Sequence, residues 1–276
     1  MSENVSDSEI STRYTHGHER ATLASHGART AANSAGYLLP VLRQGMSVLD
    51  VGCGPGTITL DLAEIVAPGV VVGIENVEKP LVAARAGAAE RGDTRTRFEL
   101  GDVMARPFED DSFDIVHAHQ VLQHLTDPVG ALREMARVAK PGGWVAARDA
   151  DYAAMAWYPE LPELEEWRTI YRRVARGNGA EPDAARRMRT WAQAAGLTDV
   201  RYTAGTWNYA DSETCRWWGH SQAERYSAEL FAEQASRYGV TGDDLVRIAA
   251  GWRAWGQEPD AWFAIVNGEL LARLPE

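Results

Sequence analysis

The chain has 276 residues, 45% hydrophobic and 24% charged, a composition that excludes a disordered chain and provides for a buried core. Its formal net charge of −11 argues against a general affinity for nucleic-acid phosphates, which requires a basic face. Two cysteines, Cys53 and Cys215, exclude a disulfide scaffold and a C-x-x-C metal site, and no apolar run approaches the roughly 20 residues of a bilayer span.

The first dozen residues read as a loosely ordered start without signal-peptide character, so a cytoplasmic protein is expected. A helix is expected over 18–42, with Leu23, Ala31, Ala35, Leu38 and Leu39 on its apolar side, making residues 1–43 an N-terminal helical cap. Then the rhythm changes. Residues 47–51 read as a buried strand, followed by a glycine-rich turn and a helix over 57–66. A strand at 70–74, a helix at 80–91 and strands at 97–100 and 113–118 follow. A helix at 128–139 starts on Pro128, and Pro141-Gly142-Gly143 turns the chain into a strand at 144–148. A helix over 186–196 ended by Gly196, a strand at 199–205 and a last strand at 262–266 complete the set. Strand and helix alternate through 47–150, which predicts an α/β fold: a mostly parallel, seven-stranded sheet with helices on both faces. The tryptophans lie from Trp144 onward, and the Trp-rich stretches at about 151–182 and 207–258 are expected as helical insertions around that sheet.

The strongest chemical signal is Val48-Leu49-Asp50-Val51-Gly52-Cys53-Gly54-Pro55-Gly56. Alternating glycines let the backbone bend and approach a ligand, and the helix opening at Thr57 presents free N–H groups. A dinucleotide loop would place its third glycine at position 57, which is Thr57. Asp50, ahead of the turn, suits a cationic group better than a pyrophosphate. Glu75, at the end of the second strand, can accept hydrogen bonds from both hydroxyls of a ribose. In Gly101-Asp102-Val103, Asp102 suits an adenine amino group and the Val103 N–H a ring nitrogen; the plain alternative is a turn whose Asp bonds its own backbone.

Together VLDVGCGPG, GIE, GDV, PFEDDSFDIVHAHQVLQHL and KPGGW resemble the successive motifs of class I S-adenosylmethionine-dependent methyltransferases, in wording nearest the ubiquinone/menaquinone (UbiE-type) branch. The resemblance covers about residues 44–150. It implies a Rossmann-like methyltransferase domain over 44–276 that uses S-adenosyl-L-methionine and releases S-adenosyl-L-homocysteine. It places Asp50, Gly52, Cys53, Gly54, Gly56 and Thr57 around the methionine part, Glu75 on the ribose, and Asn76, Asp102 and Val103 at the adenine. Ala118-His119-Gln120 would border the transferred methyl.

Such a cofactor carries an electrophilic methyl, so the protein supplies alignment and, for an oxygen or nitrogen acceptor, a base. The candidates are His119, Gln120, His124 and Asp149, with His119 best placed and His124 the more natural wall residue; His117 is expected to face a helix. Tyr14 and Arg29 are expected near the cofactor's carboxylate, in a segment that also carries His16, His18 and His26 and closes over the site. Trp207-Asn208-Tyr209 and Cys215-Arg216-Trp217-Trp218-Gly219-His220 suit a lid or ordinary core, and Arg172, Arg216 and Arg225 are candidates for an acidic acceptor. No acidic cluster demands a metal. The expected partner is a small-molecule acceptor, with a homodimer left open and neither nucleic acid nor membrane involved. Quinone-ring carbon methylation, a non-catalytic S-adenosylmethionine-binding protein and an NAD-dependent oxidoreductase are the competing readings.

Overall fold

The computed structural model describes residues 29–105 and 108–276. The positions expected to form most of the cap, including Tyr14, His16, His18 and His26, lie outside the described residues. Eight described strands form one sheet: β1 (Val48–Val51), β2 (Val71–Glu75), β3 (Arg97–Leu100), β4 (Phe113–His119), β5 (Ala139–Ala150), β6 (Ala156–Tyr158), β7 (Asp199–Tyr209) and β8 (Trp262–Arg273). The order runs β3-β2-β1-β4-β5-β8, with β7 on the outer edge of β8. The first five strands are parallel, and β8 runs antiparallel to both β5 and β7. Short β6 pairs with β8 beyond the point where β5 stops, at Ala156↔Ala264 after Ala150↔Asn267. It therefore prolongs the β5 row, and the sheet is seven rows wide, as expected, with one extra strand segment.

Side-chain alternation sorts the strands onto two faces. Leu49, Val51, Val116, Val145 and Ala147 pack with helices α4 (Pro128–Val138) and α6 (Ala185–Ala195). Here α1 is Ala31–Ser34, α2 Thr57–Val66, α3 Glu78–Glu90 and α5 Pro162–Gly177. The opposite parity, Val48, Ile115 and Ala146, packs with Ile58, Leu62, Ala63 and Val66 of α2. Helix α4 forms because Asp127 accepts the Gly130 N–H at its start, Pro128 fits the first turn, and Ala131, Leu132, Met135 and Val138 recur at helical spacing. Burying side chains such as Leu132 and Met135 contributes roughly 1.5–3 kcal/mol each.

Three expectations are corrected. A continuous helix over 18–42 does not form: Thr30 is extended (φ −130°, ψ 164°) and caps a new four-residue helix, α1, through a reciprocal box with Asn33. The Pro141-Gly142-Gly143 stretch is not a turn ahead of a strand. It is an irregularity within β5, where pairing jumps from Phe113↔Ala139 to Ile115↔Trp144 and Gly142 adopts φ +70°. Strand β7 does not stop at 205 but runs to Tyr209, because β8 pairs with it along its length, so Trp207 and Tyr209 are strand residues.

The Trp-rich stretches supply α5, α7 (Ser212–Tyr226), α8 (Glu229–Ser236) and α9 (Gly242–Trp255). These helices share a second apolar core with the start of β8. Phe263 of β8 is at its centre: it stacks on Trp157 at 5.7 Å and meets Trp252 at 5.4 Å, while Trp167 meets Trp252 edge-on at 4.8 Å. No described helix is long and apolar enough to cross a membrane.

Candidate active site

The turn between β1 and α2 opens a cleft at the carboxyl ends of β1, β2 and β4, enclosing about 1050 Å³ that is partly open to solvent. Gly52, Gly54 and Gly56 all take positive φ, at 64°, 54° and 77°. Two of them also need to lack a side chain. A Cβ on Gly52 would lie 2.5 Å from Val121 Cγ2, and one on Gly56 2.7 Å from Phe98 Cζ. Gly56 is the N-cap of α2 and offers no side-chain cap, so the first turn opens on the cleft at Thr57 and Ile58.

Each sequence-predicted carboxylate is accounted for. Glu75 accepts the Gly54 N–H at 3.2 Å with Oε2 and the Asn76 N–H at 2.9 Å with Oε1, which ties the end of β2 to the glycine turn. Burial pushes its carboxyl above the ordinary range, against those two N–H bonds. Asp50 is buried; its Oδ2 accepts the Thr59 hydroxyl at 2.6 Å and its Oδ1 lies 2.7 Å from His117 Nδ1. His117 does face the α2 side as expected, but its partner there is Asp50, directly across the strand pair. Asp102 accepts the Met104 N–H at 2.9 Å with Oδ1, so the turn reading holds for one oxygen while the residue also lines the cleft beside Val103 and exposed Asn76. Cys53 reaches the cleft, yet its side chain packs with Leu60, Leu81 and Phe98, and burial pushes the thiol up.

At the other end of the cleft the chain leaves β4 through His119 and Gln120. Gln120 has φ +55°, an uncommon value for a non-glycine residue, held by its N–H to the Arg148 carbonyl at 2.7 Å. Its side chain accepts from Arg29 Nη2 at 2.9 Å and donates to Asn267 Oδ1 at 3.3 Å. His119 lies against the Trp207 ring at 5.4 Å, and Trp207 in turn takes the guanidinium of Arg148 at 4.6 Å and that of Arg29 at 5.4 Å. The Trp207 indole N–H donates to the Asn33 carbonyl at 2.7 Å. His124 ends a short 3-10 turn and lines the cleft, its Nε2 3.0 Å from Gln123 Nε2, in keeping with a wall residue.

Asp149 is the exception among the catalytic candidates. It sits one position from Arg148 and Ala150 and so points to the α4/α6 face, lining neither this cleft nor the cavity beyond it. Its Oδ1 accepts the Gln123 N–H at 3.1 Å, so it anchors the turn that carries His124. Burial pushes its carboxyl up to about 7.

Beyond Gln120 a second, smaller cavity opens, about 520 Å³ with its solvent-open part included. Its walls are aromatic: Tyr152, Trp167, Trp207, Tyr209 and Trp218, with Met155 and Ile265. Gln222 and Arg225 of α7 bring polar groups to it, and both are buried, at 1% and 8% exposure. Arg29 and Gln120 line both cavities and are the residues common to the two. The sequence had singled out Trp207, Tyr209, Trp218 and Arg225, but not Tyr152 or Gln222. Trp218, Gln222 and Arg225 are spaced four and three apart, the spacing of one helix face, and that signal was available. Arg172 is instead paired with Asp183 at 2.6 Å, and Arg216 lies with Trp217 and His220 on the outer side of α7, around a separate surface groove.

The site thus comprises a cleft at a strand–glycine turn–helix and a neighbouring aromatic cavity that share Arg29 and Gln120. Residues 42–213 match the family model described as a methyltransferase domain. An uncharacterized methyltransferase of Schizosaccharomyces pombe is 32% identical, over 95% of this chain and 97% of its own length. The 27-O-demethylrifamycin SV methyltransferase of Amycolatopsis mediterranei is 30% identical over 94% of this chain and 87% of its own. The demethylmenaquinone methyltransferase of Lactococcus lactis is 38% identical, but over 44% of this chain and 48% of its own length. The chain belongs to the methyltransferase-domain family, as an S-adenosylmethionine-dependent enzyme of class I with UbiE-like relatives.

Proposed function

We propose that this enzyme binds S-adenosylmethionine in the glycine-turn cleft and methylates a small molecule held in the aromatic cavity. One observation carries the reading: the two cavities meet at Arg29 and Gln120, where the cofactor's methyl would face the acceptor. The cleft fits the cofactor on its own terms. A carboxylate at Glu75 suits a pair of ribose hydroxyls, and Gly52 and Gly54 bring bare backbone to the cleft wall. In this reading Gly52, Gly54, Thr57 and Asp50, the last held from behind by His117, border the methionine part, Arg29 takes its carboxylate, and Asp102, Val103 and Asn76 border the adenine. The cofactor supplies a methyl on a sulfonium, already electrophilic, so the chain's task is alignment and exclusion of water. Gln120, fixed by three hydrogen bonds, sets the wall between the partners; His119, on the cofactor side, is the nearest titratable candidate to receive a proton from the acceptor.

Specialised metabolism is favoured over quinone-ring carbon methylation by the span of the matches. The rifamycin enzyme aligns across both the cleft and the aromatic half, whereas the menaquinone enzyme aligns across less than half of the chain. Both cysteines are buried and unbonded, in keeping with a cytoplasmic enzyme. The test is calorimetric titration with S-adenosylmethionine, S-adenosylhomocysteine and NADH, repeated on Asp102→Ala, followed by methyl release against an acceptor panel. Binding of the first two, weakened in the variant, is expected. Binding of NADH alone overturns the reading, and cofactor binding without transfer to any acceptor points to the non-catalytic alternative.

A further inference from the structure

The aromatic cavity carries hydrogen-bond donors that the protein itself does not use. Trp218 and Gln222 stand four residues apart on α7, so one face of that helix delivers both to the cavity wall. The Trp218 Nε1 and Gln222 Nε2 atoms are buried, and neither has a hydrogen-bond partner in the protein. The unpartnered indole groups of Trp157 and Trp252 belong to the Trp-rich core rather than to the cavity wall, and that of Trp167 lies by the Tyr226 hydroxyl. The Trp218 donor is also held in place. Tyr209 stacks on its ring at 4.6 Å with the planes 14° apart, and Trp217 and Phe263 approach at 6.0 and 6.2 Å. An indole N–H and an amide nitrogen donate and never accept, so the group that answers them has to accept.

Water satisfies such donors while a cavity is open, and a ligand that fills the cavity expels it. An apolar ligand then strands two buried donors, whereas a ligand with an oxygen at that place replaces the lost bonds. Sites of this kind discriminate against the analogue that lacks the bonding atom. The pair also has a place along the site: it lines the aromatic cavity and not the glycine-turn cleft, whereas Gln120 lines both. Resting on the methyl-transfer reading above, we infer that the acceptor is a flat, ring-containing molecule with a carbonyl or equivalent accepting oxygen, separate from the atom that takes the methyl. Trp218 Nε1 and Gln222 Nε2 bind that oxygen, the aromatic walls hold the ring, and the atom to be methylated is directed toward Gln120.

The experiment uses the full chain saturated with S-adenosylhomocysteine and two probes that differ at one position, 6-acetyl-2-naphthol and 6-ethyl-2-naphthol, a carbonyl against a methylene. Calorimetry is expected to show the ketone binding roughly tenfold or more tightly, although the ethyl compound is the more apolar. Trp218→Phe keeps a ring and removes the N–H; Gln222→Leu keeps the bulk and removes the amide. Each is expected to shrink the ratio about threefold or more, and the double variant to bring it to about one. Affinity for S-adenosylhomocysteine should stay at the wild-type value in all three, which also shows that they are folded. A wild-type ratio of one or less, no binding of either probe, or an undiminished ratio in the folded variants overturns the inference while the cofactor reading stands. Failure of S-adenosylhomocysteine to bind wild type overturns the cofactor reading, and this inference with it.

Discussion

Asp149→Asn separates a structural carboxyl from a catalytic one. Asp149 is fully buried on the α4/α6 face, and its carboxyl is pushed up to about 7 from the ordinary 3.8, with loss of solvation as the main cause. The unfolded chain releases this proton near pH 4, whereas the native protein holds it until near pH 7. Between those values the native state binds one proton more, so stability falls as pH rises through the window and levels off above it. At about 1.4 kcal/mol per pH unit, and with the group half ionised at pH 7, raising the pH from 5 to 7 removes about 2 kcal/mol through this group and raising it to 8 nearly 3. Asparagine keeps an oxygen for the Gln123 N–H and cannot ionise. Urea unfolding of wild type and variant at pH 5, 6, 7 and 8 measures the difference, and any constant packing offset cancels. The expected result is a gain for the variant relative to wild type of about 3 kcal/mol between pH 5 and pH 8. A difference that stays flat with pH refutes the buried-carboxyl argument, and loss of turnover with cofactor and acceptor affinities intact returns Asp149 to the chemistry.

Two further perturbations test the walls of the site. Gly52→Ala forces a Cβ to within 2.5 Å of Val121 Cγ2 at φ +64°, so S-adenosylhomocysteine affinity should fall roughly five- to hundredfold, by about 1–3 kcal/mol. Adding Val121→Ala should recover part of it, and unchanged affinity in the single variant would show that the turn is not tightly packed. Trp207→Phe keeps a ring for Arg148 but removes the donor to Asn33, which should speed amide exchange over Ala31–Ser34 by about fivefold, for a bond worth about 1 kcal/mol. Unaltered exchange there would mean that the Ala31 N–H bond to Asp61 at 2.8 Å and the apolar contacts of Ala31 and Ala35 hold the segment without it.

The cofactor half was legible because its signals are local. A strand, alternating glycines and a helix start lie within twenty residues, and the acid at Glu75 falls in fixed register with them. Asp149 was counted among the residues near the transferred methyl, whereas it faces α4 and α6; sequence does not fix which way a residue points when both faces of a strand are buried. The tryptophans were ambiguous for a real reason, since they do both jobs: Trp252 and Trp255 are buried core, while Trp167 and Trp218 share that core and line the cavity. Tyr152, Trp207, Gln222 and Ile265 come from four separate elements, and no spacing along the chain announces their meeting. The Asp50–His117 pair was equally hidden, because it depends on the register of two strands 67 positions apart.

The insertion of β8 between β5 and β7 has a consequence for assembly and for change over time. The cofactor cleft is enclosed by neighbouring parallel strands and needs little from the far edge of the sheet. The aromatic cavity leans on β8, which brings Ile265 to its wall, Phe263 to the Trp-rich core and Asn267 to Gln120. The glycine-turn cleft and the aromatic cavity are therefore built largely by different parts of the chain. On the proposed reading that division separates the two in heredity: substitutions on α7 or at the start of β8 bear on the aromatic cavity and leave the glycine turn untouched.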